Sequence, residues 1–152
     1  MTPEELLERS GVTLQIPGPV QGTWARTVRS GSLLFVAGHG PFVSGTIAHP
    51  GRLGAELTVD EGRKEAEVTI INILGSLKAE LGELSRITRF VRLVVFVNAT
   101  PDFTEHHQVA FGATDLLVKV FGDAGRAALA EVGAPSLPFN GAVEIEAVVE
   151  VR

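Results

Sequence analysis

The stretch Leu137-Pro138-Phe139-Asn140-Gly141-Ala142-Val143-Glu144-Ile145-Glu146-Ala147-Val148-Val149-Glu150-Val151 reads as a turn followed by a β-strand. Side chains alternate across a strand, so Val143, Ile145, Ala147, Val149 and Val151 share one face. Glu144, Glu146, Val148 and Glu150 share the other. The apolar face needs a covering layer. The acidic face either meets water or lines a site.

The cover comes from two long helices. Thr58–Leu81 is the clearest, because Ala66, Ile70, Ile73, Leu74, Leu77 and Leu81 recur at three- and four-residue steps. Thr58 with Glu61, or Asp60 by itself, can cap its start, and Gly82 closes it. Thr104–Gly122 is the second, with Val109, Leu116, Leu117, Val120 and Phe121 as core contacts. Arg89–Asn98 (RFVRLVVFVN) reads as a strand buried on both faces for most of its length. Trp24–Arg29, a Ser30-Gly31 turn and Leu33–Ala37 read as a hairpin. Gly38–Leu53, rich in Gly and Pro, reads as a long loop with room for a short strand. Pro3–Ser10 reads as a short helix capped by Thr2 and Glu5 and ended by Gly11. Arg126–Val132 has helix-forming composition but little room before Gly133 and Pro135, so helix and strand both fit. The order implies an α+β sandwich, a mixed sheet covered on one face by helices. Residues 1–152 form one domain, with residues 1–13 as a helical extension.

Composition narrows the function. There is no cysteine, which excludes thiolate catalysis and cysteine-based zinc sites. The net charge is −5, Lys and Arg are scattered, and there is one Trp and no Tyr. Nucleic-acid binding needs a basic footprint, so it is disfavoured. No run is long and apolar enough to span a membrane. The acidic start, Met1–Glu5, is no secretion signal, and a cytoplasmic protein is expected.

Several motifs, in order, resemble the RidA superfamily (YjgF-like, endoribonuclease L-PSP-like). They are the hairpin Trp24–Gly38, Thr69-Ile70-Ile71-Asn72-Ile73-Leu74, Phe96-Val97-Asn98 leading to Asp102-Phe103, and the closing Leu137-Pro138 with Val143-Glu144-Ile145-Glu146-Ala147. Gly11–Leu14, Leu81–Leu84 and Ala113–Gly122 resemble a branch with an added N-terminal helix and longer loops. The resemblance implies a chorismate-mutase-like fold assembled as a homotrimer, with small-molecule clefts between subunits. It makes Arg126–Val132 a strand. It implies cofactor-free hydrolysis of enamines and imines such as 2-aminoacrylate, with an arginine gripping the substrate carboxylate.

Carried over residue by residue, the resemblance keeps Glu144 and Gly38 and loses the rest. Counting back from Leu137-Pro138, Leu129 stands at the arginine position. Ala37 replaces the motif serine, Trp24 the usual tyrosine and Phe111 an asparagine. Arg126, an odd offset from Leu129, points to the opposite strand face. Loss of a bidentate charge-assisted contact costs roughly 2–4 kcal/mol, about a hundredfold or more in rate or affinity. The expectation is a divergent member without standard 2-iminopropanoate deaminase activity. Its cleft would be lined by Trp24, Ala37, Gly38, Phe111 and Leu129, with Glu144, and His39 beside it, as the catalytic groups. The ligand would be a small, largely uncharged or aromatic metabolite. The alternatives are an active deaminase of altered substrate range, a non-catalytic binding protein, and a ribonuclease or translation inhibitor. No metal site is expected, since His106 and His107 diverge by about 100° on a helix.

Overall fold

The structure, a computed structural model, describes residues 1–152. In chain order the elements are helix α1 (Pro3–Arg9), strands β1 (Thr27–Ser30) and β2 (Leu33–His39), a small β3 (Phe42–Val43) and β4 (Thr46–Ile47) hairpin, helix α2 (Val59–Leu81), strand β5 (Ile87–Asn98), helix α3 (His106–Phe121), strand β6 (Ala128–Ala134) and strand β7 (Val143–Val151). Five strands form one sheet in the order β1-β2-β7-β5-β6. All neighbours are antiparallel except β5 and β6. A parallel pair needs a crossover, and α3 supplies it. The chain is thus the α+β sandwich its patterning implied.

The local causes are those read in the sequence. Thr58 and Glu61 form a full capping box at the start of α2, and Thr2 and Glu5 do the same for α1. Thr69, Ile70, Ile71 and Ile73 are poor helix formers, but tertiary packing overrides propensity here. Ile70, Ile73, Leu74 and Leu77 are fully buried between α2 and the sheet. Truncating one of them to Ala costs about 2–5 kcal/mol. The apolar face of β7 (Val143, Ile145, Ala147, Val149, Val151) is buried in the same core. Helices α2 and α3 cross so closely that a Cβ on Gly112 would collide with the Arg63 carbonyl. Glu4 latches α1 down, accepting from Leu84 N–H (2.7 Å) and Lys78 Nζ (3.1 Å).

Two expectations need correction, and two hold with adjusted detail. The first strand begins at Thr27, leaving Trp24 in the preceding loop, because Pro17 to Gly22 hold that segment irregular. The Gly38–Leu53 loop contains a hairpin, β3–β4. Strand β5 is buried on both faces from Leu93 to Asn98, with Phe96 half-buried, while Arg89 and Arg92 near its start are exposed. The ambiguous Arg126–Val132 segment yields a strand that starts at Ala128, and Arg126 lies before it, paired with Asp123 at 3.2 Å.

Candidate functional site

One irregularity in β2 organises the site. Val36 pairs with Ala147 and His39 with Ile145, so β2 spends three residues where β7 spends two. This is a β-bulge. Val36 faces the core under the helices. Ala37 and Gly38 both turn to the outer sheet face, and His39 returns to the helix side.

On the outer face, Gly38 meets Glu144: a Cβ built on Gly38 would lie 2.9 Å from Glu144 Cδ. The carboxyl is recessed in a cavity of about 250 Å³ bounded by Trp24, Gly38, Phe42, Pro138 and Phe139. Burial, reinforced by the nearby Glu146 carboxylate, pushes the Glu144 carboxyl above the usual range. No Lys, Arg or His lines this cavity. Phe139 stacks edge-on against Phe42, with centroids 5.4 Å apart. The turn that carries Phe139 is anchored by buried Asn98, whose amide donates to Gly51 O, Gly141 O and Asn140 Oδ1.

On the helix side, His39 Nδ1 lies 2.7 Å from Ala37 O and Nε2 lies 2.8 Å from Ser76 Oγ. A carbonyl only accepts, so Nδ1 carries the proton and the Ser76 hydroxyl donates to Nε2. Burial, with the Arg26 guanidinium nearby, holds His39 below its ordinary value and keeps the ring neutral. His39 and Ser76 line a larger polar cavity of about 450 Å³, with Arg26, Asn72 and Gln15 in its wall. Asn72 and Gln15 are already committed. Asn72 Nδ2 donates to Gly40 O and Phe42 O, and Gln15 Nε2 donates to Asn72 Oδ1. They hold the β3 segment against α2.

The expected residues therefore divide. Trp24 and Gly38 sit with Glu144. His39 belongs to the opposite side of the sheet, so it is not beside Glu144. Ala37 lines an outer-face groove with Phe35, Arg92, Val94 and Glu146. Leu129 does not face Glu144 either: it pairs with fully buried Leu93 and packs on the core, whereas Glu144 pairs with Phe96 on the outer face. Phe111 lies on α3, stacked on His107, in the helix layer. Leu129 and Phe111 thus do not meet Glu144 within one chain: strand parity turns Leu129 to the core side, and Phe111 lies in the helix layer. No His, Cys, Asp or Glu cluster able to hold a metal is present. No helix is long and apolar enough to cross a membrane.

Sequence reading missed Phe42, Phe139, Arg26 and Ser76. Only Phe139 carried a local signal, next to the turn residues Pro138, Asn140 and Gly141. Ser76 was hidden within the α2 pattern, and Phe42 and Arg26 acquire meaning only through folding.

An α+β sandwich with helices on one face of the sheet and a recessed acid on the other is the chorismate-mutase-like class. The family described as "YjgF/chorismate mutase-like, putative endoribonuclease" matches residues 7–151. The chain belongs to this family, the RidA/YjgF-like group its motifs resemble. It is 41% identical to Protein TCP17 of Trypanosoma cruzi, over 96% of this chain and 92% of that protein. A crystal structure of protein Atu1372, of unknown function, from Agrobacterium tumefaciens superposes with TM-score 0.91 at 41% identity, covering 99% of this chain and 92% of that one. A "putative endoribonuclease" from Shewanella oneidensis superposes with TM-score 0.95 at 32% identity, covering 99% and 100%.

Proposed function

We propose that the protein is a cytoplasmic homotrimer whose ligand cleft lies between subunits and centres on Glu144, and that it hydrolyses imines or enamines other than 2-iminopropanoate. The observation that carries the reading is the Glu144 carboxyl, recessed against Gly38 and pushed above its ordinary range. Such a group suits both halves of the reaction. Water adds to the carbon of the protonated imine while Glu144 takes its proton, leaving a neutral carbinolamine. Glu144 returns that proton to the carbinolamine nitrogen, and the C–N bond breaks to release ammonia as the C=O bond forms, the hydroxyl proton passing to Glu144. No cofactor enters the sequence.

The trimer is supported by the outer sheet face. Phe35 is 46% exposed and Val28 55% exposed, in a groove shared with Val94 and Val148. A patch of this kind is usually covered by a partner. Leu129 supplies no charge at the position the family's arginine would hold, so the standard carboxylate grip is missing.

The test supplies 2-aminoacrylate from a dehydratase and bulkier imines from an amino-acid oxidase. Decay of 2-aminoacrylate is unchanged, at least one bulky imine is hydrolysed faster, and Glu144→Gln abolishes that gain without changing copy number in sedimentation. Fast 2-aminoacrylate decay would sink the proposed divergence, and a monomer would sink the shared cleft.

A further inference from the structure

Three aromatic rings and one acid make up most of the polar and polarisable lining of the Glu144 cavity. Trp24 is 53% exposed, with its Nε1–H donating to Gln21 O at 2.9 Å. Phe139 is 79% exposed and lies across Phe42. Its backbone is left-handed (φ 57, ψ 21), as is that of Asn140 (φ 57). A non-glycine residue in that region is strained, and such strain gathers at functional sites. Here it holds a large apolar ring out in water at the mouth of the cavity, a position that core packing does not require. Asn98 over-determines the turn from below.

The charges are equally one-sided. Glu144 is the sole ionisable side chain in the lining, and its neighbour along the outer face is another acid, Glu146. Arg26 lines the adjoining polar cavity and not this one. Aromatic faces carry partial negative charge and attract cations, most of all where water is excluded. A carboxylate behind them adds a full negative charge. A neutral ligand would leave that carboxylate desolvated without compensation, and an anion would be repelled by it.

We propose that the Glu144 cavity takes a small organic cation, an alkylammonium or a protonated imine, with Trp24, Phe42 and Phe139 against its faces and Glu144 as its counter-ion. This names the ligand class of the site assigned under Proposed function and rests on that reading of the cavity. It replaces the expectation of a largely uncharged metabolite. In the hydrolysis above, the protonated imine is both the species this site would hold and the more electrophilic form of the C=N bond.

Trp24 is the only tryptophan and lines both this cavity and the adjoining polar one, so its emission reports binding at either, and the Glu144 and Phe139 variants assign the response to this cavity. The probes are choline and its neutral isostere 3,3-dimethyl-1-butanol, titrated at constant ionic strength with sodium chloride as the balancing salt. Choline gives a saturable change in emission, and the neutral isostere binds about tenfold or more weakly. Glu144→Gln removes the preference, Glu144→Asp keeps part of it, and Phe139→Leu, which keeps an apolar side chain but loses the ring, weakens choline about tenfold. Circular dichroism of each variant separates loss of binding from loss of fold. Equal response to both probes makes the cavity merely apolar and overturns the proposal. So does no saturable response, or a response to acetate that choline does not share. Turnover is not read, so choline binding without imine hydrolysis leaves the cation site standing while the enzymatic reading falls.

Discussion

Gly38 and Glu144 touch across the β2–β7 boundary: a methyl group on Gly38 would stand 2.9 Å from the Glu144 carboxyl carbon and 3.1 Å from Oε2. The backbone of Gly38 is not in the left-handed region, so alanine fits the chain itself. Its methyl must displace a flexible side chain, which costs about 1 kcal/mol of stability. Gly38→Ala should keep the fold by circular dichroism and lose the choline response of Trp24, because the carboxyl is pushed out of its recess.

Glu144 should also cost stability as an anion. Its folded value lies above its unfolded one, so its stabilising contribution is full below about pH 4.3, the unfolded carboxylate value. That contribution is lost as pH rises through the folded value. Glu144→Gln should match wild type in thermal unfolding near pH 4 and exceed it increasingly toward pH 7. An equal offset at every pH would show that the carboxyl is not perturbed by burial.

His39 runs the other way. Its folded value is depressed by burial, so the stability it contributes is present above the unfolded value of about 6.5 and is lost as pH falls through the folded value. Denaturant midpoints of wild type should fall between pH 7 and pH 5, and the decline should shrink in His39→Gln. Ser76→Ala leaves Nε2 buried without its donor and should cost about 1–2 kcal/mol at pH 7.

Asn98 joins the Gly51 loop to the turn before β7, and it is fully buried. Asn98→Ala strands two backbone carbonyls and should cost roughly 2–3 kcal/mol in urea unfolding. The same variant should reduce choline affinity, because Phe139 is carried by the turn that Asn98 anchors. Unchanged affinity with the stability loss intact would show that the turn holds its shape without Asn98.

Much of the fold was legible because its signals are local. Thr58 and Glu61 announce α2 within four residues, and the alternation of β7 gives its buried face directly. Segment β6 was not legible from its own residues, since Ala127 to Glu131 favour helix and only pairing with β5 makes them a strand. The site was half legible. Glu144, Gly38 and Trp24 come together as expected. Leu129 was placed by counting along the chain, but the side it presents is set by its pairing with Leu93 in a distant element. His39 was misdirected by the bulge, whose one local signal is Gly38. Phe139 acquires its role from a left-handed turn and from Phe42, neither visible in composition.

The extra residue in β2 acts like a frameshift within the strand. Residues before it are read on one parity and residues after it on the other, so neighbours in sequence address opposite sides of the sheet: Gly38 meets the Glu144 carboxyl, His39 the Ser76 hydroxyl of α2. A lineage can move a group from one side to the other by gaining or losing a single residue here, without replacing the group. Position along the chain is then a poor guide to role on this edge of the cavity, and relatives are better matched by the side of the sheet each residue addresses.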